Sequence, residues 1–130
     1  MNILITGSRE ITNSMRKKAI QVVEWCWEND HHIIVGDAPG IDHVVRFEAL
    51  KLKVYITVYG AYDKIREPEM DKDWSKCVMT PGTYPERDFL MAKQCDMCVA
   101  IMKAPRTNGT FYTGKCVERL GKRVIWRIIP

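Results

Sequence analysis

The chain has 130 residues, of which 46% are hydrophobic and 28% are charged. These proportions are typical of a globular protein and exclude a disordered chain or one made mostly of membrane spans, and the length predicts one domain over residues 1–130. Lysine and arginine total 20 and aspartate and glutamate total 16, a net charge of +4. This small surplus, with both signs mixed along the chain, differs from the concentrated positive charge of dedicated nucleic-acid-binding domains.

The sequence predicts no membrane segment, metal or cofactor. Its first apolar run, residues 3–5, is too short for a signal peptide or a membrane span, and no basic stretch precedes it. We therefore expect a cytoplasmic protein without a membrane partner. His31, His32 and His43 show no metal-ligand spacing, so we expect no metal, and no pattern calls for a cofactor.

The first half of the chain alternates short apolar runs with helical patterns. The runs are rich in isoleucine and valine, as strands are, and the apolar residues between Met15 and Cys26 recur on one helical face. In chain order the predicted elements are a strand at 3–5, a helix capped by Thr12, Asn13 and Ser14, a strand at 33–35 ended by Gly36, a helix from about Gly40, and a strand at 54–58.

The second half begins with a charged segment, residues 61–76, which we interpret as a surface excursion with at most a short helix. Beyond a loop marked by prolines and glycine, the pattern of helices and strands resumes. The predicted elements there are a helix at 86–94, a strand at 97–101, a helix at 109–120 stopped by Gly121, and a strand around 124–126.

Strands that are apolar throughout and alternate with helices predict a parallel sheet covered on both faces. The fold class is therefore α/β, a single Rossmann-like three-layer domain with a five-stranded, mainly parallel sheet. We expect the strand order 3-2-1-4-5, because the connection from the third to the fourth strand must cross the sheet. This order places a switch point, where ligands bind, between the carboxyl ends of the first and fourth strands.

Two of the segments that follow strands carry polar residues suited to a ligand. Arg9 follows the first strand and offers a charged fork for phosphate or carboxylate, while Asp37 follows the second strand and can accept hydrogen bonds from ribose hydroxyls or a base. Capping of the second helix is the structural alternative for Asp42. The predicted ligand-binding residues of these segments are Gly7, Ser8, Arg9, Gly36, Asp37, Gly40 and Asp42.

The segment before the fourth strand brings three charges to a helix start. Glu86 and Asp88 are alternatively ordinary N-terminal helix charges, but Arg87 is unfavourable there unless it has another partner. The predicted ligand-binding residues of this segment are Pro81, Gly82, Thr83 and Arg87, and the catalytic candidates are Arg87, Glu86 and Asp88.

The segment after the fourth strand has the character of a phosphate cradle, because small and hydroxylated residues lead into a helix whose first backbone N–H groups are free. The lysine of a classical P-loop is absent, and an ordinary N-cap is the structural alternative. The predicted ligand-binding residues here are Arg106, Thr107, Asn108, Gly109 and Thr110. With arginines for phosphate and carboxylates for ribose, the four segments predict a cleft for a nucleotide-like ligand.

Four motifs in this order, ITGSR, GDAPGID, PGTYPERDFLMA and NGTFYT, make the chain resemble the SLOG superfamily, in its YspA-like (YpsA-related) branch. The resemblance covers nearly the whole chain and implies a Rossmann-like nucleotide-binding fold. The superfamily includes the LOG phosphoribohydrolases, the DNA-processing protein DprA and ligand-sensing domains. Its members often form homo-oligomers, and we expect a homo-oligomer here, a dimer or higher, since Trp25 and Trp27 lie off the apolar face of the first helix.

The comparison with LOG enzymes bears on catalysis. Arg87 and Met91 match an arginine and a methionine of that family, whereas its catalytic glutamate corresponds to Thr113, which has no carboxylate. Threonine neither stabilises an oxocarbenium-like centre nor activates water well. The resemblance therefore does not imply LOG-type hydrolysis by the same set of residues. Another carboxylate, from Glu86, Asp88, Asp37 or Asp42, would have to replace it.

We therefore predict a protein that binds a small-molecule nucleotide or nucleotide derivative, ADP-ribose-like or a nucleoside phosphate, as a sensor or sequestering protein. The alternative is an N-glycoside hydrolase of nucleoside 5′-monophosphates. DNA binding is a third possibility, and we expect nucleic acid to be an unlikely partner. Residues 61–76 contain five acidic and four basic residues, which is not an electrostatic track for a phosphate backbone.

Overall fold

The computed structural model describes residues 1–66, 73–103 and 109–130. Within these ranges the chain alternates strands and helices, as the sequence predicts. The elements are β1 (Asn2–Gly7), α1 (Asn13–Glu28), β2 (His32–Gly36), α2 (Ile41–Leu52), β3 (Ile56–Gly60), β4 (Ser75–Met79), α3 (Tyr84–Gln94), β5 (Met97–Met102), α4 (Gly109–Arg119) and β6 (Arg123–Ile128).

The strands form one sheet in the order β4-β3-β2-β1-β5-β6, with every neighbouring pair parallel. The predicted order 3-2-1-4-5 is confirmed for the five strands that were expected, the last two of which are β5 and β6. The predicted switch point also exists, because β1 pairs with β2 on one side and with β5 on the other.

Side chains that alternate along the strands fill two cores. Ile3 and Ile33 pack with α1 and α2 on one face of the sheet, whereas Leu4 and Ile34 pack with α3 and α4 on the other. Because both faces are covered, the central strands are apolar throughout, which explains the continuous runs in the sequence. The three-layer Rossmann-like α/β architecture is confirmed.

The expectation of five strands is wrong, because residues 75–79 form a sixth strand, β4. It lies at the edge of the sheet, paired only with β3 among the described strands, and four of its five residues are exposed. An edge strand buries little surface and commonly carries charge, here Lys76, and the three apolar residues of β4, Cys77, Val78 and Met79, are exposed rather than part of a core. The surface excursion expected for residues 61–76 therefore ends at residue 74, two residues earlier.

The amino end of α1 follows the predicted capping. The Thr12 side chain accepts a hydrogen bond from the backbone N–H of Met15, and Met15, Ala19, Val23 and Cys26 are buried along one face. Trp25 and Trp27 are 37% and 56% exposed, so the helix is not buried all round. The homo-oligomer stays a prediction. Among the helices of the described ranges, none combines the length and apolar content needed to cross a bilayer.

Candidate functional site

A cleft of about 530 Å³ opens at the switch point, beyond the carboxyl ends of β1 and β5. Its walls come from four places in the chain that the fold brings together: the loop after β1, the start of α2, one face of α3 and the start of α4. The lining residues are Thr6 to Glu10, Ala38, Asp42, Tyr84, Arg87, Asp88, Met91, Lys103, Gly109, Thr110 and Thr113.

The loop after β1 is held tightly against the start of α2. The backbone N–H of Ile41 donates a 3.0 Å hydrogen bond to the carbonyl oxygen of Ser8. Gly40 has a φ of +81°, and a Cβ at this position would lie 2.3 Å from the same oxygen. Only glycine fits both the backbone conformation and this approach. Gly40 therefore fixes the cleft wall from behind rather than lining it.

Arg87 is the centre of the buried polar network behind the cleft and is only 5% exposed. Its Nε donates to Oδ1 of Asp88 at 2.8 Å, and its Nη1 donates to Oδ1 of Asp37 and to the backbone oxygen of Tyr59, both at 3.0 Å. These partners explain why a cation stands in the first turn of a helix. The two carboxylates offset the unfavourable helix dipole.

Asp37 is committed to two arginines. It is 1% exposed, and Arg66 binds it with the backbone N–H at 2.8 Å and with Nε and Nη2 at 3.1 and 2.9 Å. Burial alone raises the pKa of the Asp37 carboxyl, but the hydrogen bonds and charge of Arg66, with the charge of Arg87, outweigh it and lower the pKa. Asp37 does not line the cleft, and its contacts suit it to positioning Arg87.

Asp42 faces the cleft from the first turn of α2 and is 5% exposed. Burial raises the pKa of its carboxyl to about 6, although the charges of Arg87 and Arg46 and a 3.3 Å hydrogen bond from the Ala38 backbone act in the opposite direction. A Cβ on Gly36 would lie 2.7 Å from both Asp42 Oδ2 and Arg87 Nη1. Gly36 thus makes room for a carboxyl and a guanidinium above the end of β2.

Asp88 brings a second buried carboxyl into the cleft, beside the start of α4. Burial raises its pKa, against the lowering effect of Arg87 and of a hydrogen bond with Thr113. Its Oδ2 lies 3.8 Å from where a Cβ on Gly109 would stand. The cleft therefore holds two carboxyls of raised pKa, and one of them, Asp88, is hydrogen-bonded to Thr113.

Of the fifteen predicted site residues that the structure describes, eight line the cleft and seven do not. Those that line the cleft are Gly7, Ser8, Arg9, Asp42, Arg87, Gly109 and Thr110, with the catalytic candidate Asp88. Those that do not line it are Gly36, Asp37, Gly40, Pro81, Gly82, Thr83 and the catalytic candidate Glu86. Arg106, Thr107 and Asn108 lie outside the described residues.

Thr83 and Glu86 have a structural role at the start of α3. The Thr83 side chain accepts a hydrogen bond from the Glu86 backbone N–H, and the Glu86 carboxylate accepts one from the Thr83 backbone N–H at 3.1 Å. This is a capping box, which stabilises a helix amino terminus. Pro81, Gly82 and Glu86 line a separate hollow of about 540 Å³ together with Phe89 and Tyr112.

Besides the catalytic candidate Asp88, seven residues that line the cleft are absent from the predicted binding set: Thr6, Glu10, Ala38, Tyr84, Met91, Lys103 and Thr113. A signal existed for two of them, because Tyr84 and Met91 are seven residues apart and so share the helix face of Arg87 and Asp88. Arg66 gave no such signal. It meets Asp37 only through the tertiary fold, 29 residues away along the chain.

Sequence comparisons and fold comparisons give different results for this chain. No protein-family model matches it, and none of the curated proteins is significantly similar in sequence. Solved structures, in contrast, match over nearly the whole chain. The resemblance that the four motifs predict is therefore tested by the fold alone.

Three solved structures illustrate the match. DNA processing protein A (DprA) from Streptococcus pneumoniae has a TM-score of 0.78 at 20% identity, over 96% of this chain and 49% of its own. The molybdenum cofactor binding protein from Rippkaea orientalis has a TM-score of 0.78 at 16% identity, over 96% and 74%. DprA from Helicobacter pylori has a TM-score of 0.74 at 16% identity, over 97% and 64%.

The chain shares the fold of these proteins, and the resemblance to the SLOG superfamily is thereby confirmed at the level of the fold. The names of two of these neighbours state a ligand, which is the molybdenum cofactor for the R. orientalis protein and single-stranded DNA for the H. pylori protein. The chain spans about half of the S. pneumoniae DprA chain and just under two thirds of the H. pylori chain.

The expectation that nucleic acid is an unlikely partner is wrong. The H. pylori protein is described with a single-stranded DNA binding mode, and two of the three neighbours are DNA processing proteins. The expectation rested on the small net charge, with both signs mixed along the chain, and on the charge of residues 61–76, whereas residues 109–130 contain five basic residues and one acidic residue. A charge count over one segment does not represent the whole surface.

Proposed function

We propose that the cleft binds a nucleotide or nucleotide derivative, either a nucleoside phosphate or an ADP-ribose-like molecule, and that the protein acts as a sensor or sequestering protein. The observation that carries this proposal is that one cleft is lined both by an anion-binding set, Arg9 and the start of α4, and by two buried carboxyls, Asp42 and Asp88. Its volume of about 530 Å³ falls within the range of small-molecule sites.

The anion-binding set supports a phosphate at one end of the cleft. Gly109 and Thr110 form the first turn of α4, where backbone N–H groups and the positive end of the helix dipole favour negative charge. Arg9 and Lys103 line the same cleft and are exposed, so their charges are available to a ligand. The Asp42 carboxyl offers an acceptor for ribose hydroxyls.

Calorimetric titration with nucleoside mono-, di- and triphosphates and ADP-ribose tests this proposal. We expect binding of at least one of them, and we expect Arg9→Ala to weaken it about tenfold or more, as the loss of a charged hydrogen bond does. Arg123→Ala is the matched control, because Arg123 is exposed at the amino end of β6, opposite the cleft. Absence of binding by the whole panel would overturn the proposal, and tight binding of single-stranded DNA alone would redirect it.

The second candidate is hydrolysis of the N-glycosidic bond of a nucleoside 5′-monophosphate. It is favoured by the two cleft carboxyls of raised pKa on either side of Arg87, since one neutral and one ionised carboxyl can protonate a leaving group and activate water. Incubation with the four monophosphates should then release free base, detected by mass spectrometry. Asp42→Asn and Asp88→Asn should each abolish release, whereas Glu86→Gln should leave it unchanged.

A further inference from the structure

Tyr84 stands at the first turn of α3, half-buried, and lines the cleft. Among the cleft residues that the structure describes, it is the one aromatic side chain. On the same helix face, one and two turns further along, follow Arg87 with Asp88 and then Met91. The α3 wall of the cleft is thus aromatic at one end, charged in the middle and apolar at the other.

The ring of Tyr84 is held in place by three neighbours. The rings of Tyr62 and Tyr84 pack in a T-shaped arrangement, with their centroids 5.4 Å apart and an interplanar angle of 82°. The guanidinium carbons of Arg66 and Arg87 lie 4.5 and 5.2 Å from the ring centroid, within cation–π distance.

Both arginines are themselves fixed, because each donates a hydrogen bond to the same oxygen of Asp37, at 2.9 and 3.0 Å. Asp37, the two guanidinium groups and the Tyr84 ring therefore form one packed unit. An aromatic side chain that is ordered before a ligand arrives loses little conformational entropy on binding, which increases the affinity that its contact gives.

We propose that Tyr84 stacks on the base of the bound nucleotide, so that the cleft selects ligands that carry an aromatic base over sugar phosphates that lack one. This inference rests on the proposed function and adds the part of the ligand that is recognised. The anion-binding set binds phosphate, which every sugar phosphate carries, whereas stacking on an aromatic ring requires a base. Every base has a π face, so Tyr84 confers preference for a base without choosing among bases.

Titration of the protein with the four ribonucleoside 5′-monophosphates and with ribose 5-phosphate tests this role. We expect the wild type to bind at least one monophosphate more tightly than ribose 5-phosphate. Tyr84→Leu should weaken binding of that monophosphate about tenfold and leave ribose 5-phosphate affinity unchanged, whereas Tyr84→Phe keeps the ring and should keep the affinity. Tyr55→Leu is the control. Tyr55 is exposed and lies just before β3, at the amino ends of the strands and opposite the cleft.

The outcomes separate this inference from the proposed function. If the wild type binds a monophosphate and Tyr84→Leu binds it equally well, base stacking by Tyr84 is wrong and the proposed function stands. If Tyr84→Leu weakens both ligands equally, the residue supports the fold of the cleft and the inference is again wrong. A wild type that binds none of these probes overturns the inference, whereas the proposed function is overturned only if the nucleoside di- and triphosphates and ADP-ribose also fail to bind.

Discussion

Asp37, in the turn after β2, and Asp42, in the first turn of α2, are close in the chain, yet the pKa values of their carboxyls are shifted in opposite directions. Both are buried, at 1% and 5% exposure, and the sequence predicts the same ligand-binding role for both. The pKa of Asp37 lies below its ordinary value of 3.8, whereas that of Asp42 is raised to about 6. The difference shows that burial does not determine the state of a carboxyl in this fold.

What separates the two is the number of direct partners. Asp37 accepts hydrogen bonds from both Arg66 and Arg87, which stabilise its charged form more than burial destabilises it. For Asp42, the charges of Arg87 and Arg46 and a 3.3 Å hydrogen bond from a backbone N–H lower the pKa, but burial raises it by more. Asp37 is therefore a structural anion behind the cleft, and Asp42 is a carboxyl able to exchange a proton inside it.

The largest expected effect comes from removing the structural anion. Asp37→Asn leaves Arg87, 5% exposed, with one carboxylate partner fewer, and losing one member of a buried ion pair costs about 3 kcal/mol. Urea unfolding at pH 7 should show this loss, while Glu24→Gln on the exposed side of α1 should show none. The loss should shrink as the pH falls below about 4, because protonation then removes the same charge from the wild type.

A stability loss in Asp37→Asn that is the same at pH 3 as at pH 7 would contradict the ion-pair account. It would mean that the shape of the side chain matters rather than its charge.

Asp42→Asn should have the opposite sign. The pKa of Asp42 is higher in the folded protein than its ordinary value of 3.8, so the wild type loses stability as the pH rises from about 4 to about 6. At pH 8 the variant should be up to about 3 kcal/mol more stable than the wild type, and the gain should vanish as the pH falls towards 4. Unfolding at several pH values measures this difference, and a difference that does not change with pH would contradict the raised pKa.

The sequence contains enough to predict the centre of the fold. The runs at Ile3 and Ile33 are apolar because both faces of their strands are covered, and the alternation with helices then determines the parallel order and the switch point. The edge strand β4 is different. Its pairing with β3 is made by backbone groups, and its short apolar run at residues 77–79 is exposed and directly follows a charged segment, so it does not stand out as a buried strand.

The site was predictable where local position determines the role. Arg9 lies in the loop after β1 and Gly109 begins the helix after β5, so the order of elements in the sequence already places both at the cleft. The roles of Asp37 and Tyr84 both depend on contacts with Arg66 and Arg87. These two arginines are 29 and 50 residues away from Asp37 along the chain. Such partners are set by the tertiary fold, so a sequence can offer a carboxylate without showing what neutralises it.

Glu86 and Asp88, two residues apart at the start of α3, repeat the comparison and give the smallest expected effect. Glu86 accepts its hydrogen bonds within the capping box, whereas Asp88 faces the cleft. Thr83→Ala removes the hydroxyl of that capping box and should lower the free energy of unfolding by about 1 kcal/mol. Nucleotide affinity, measured by calorimetry, should not change. A variant that keeps its stability but loses affinity would place Thr83 and Glu86 in the binding site after all, as the sequence alone predicts.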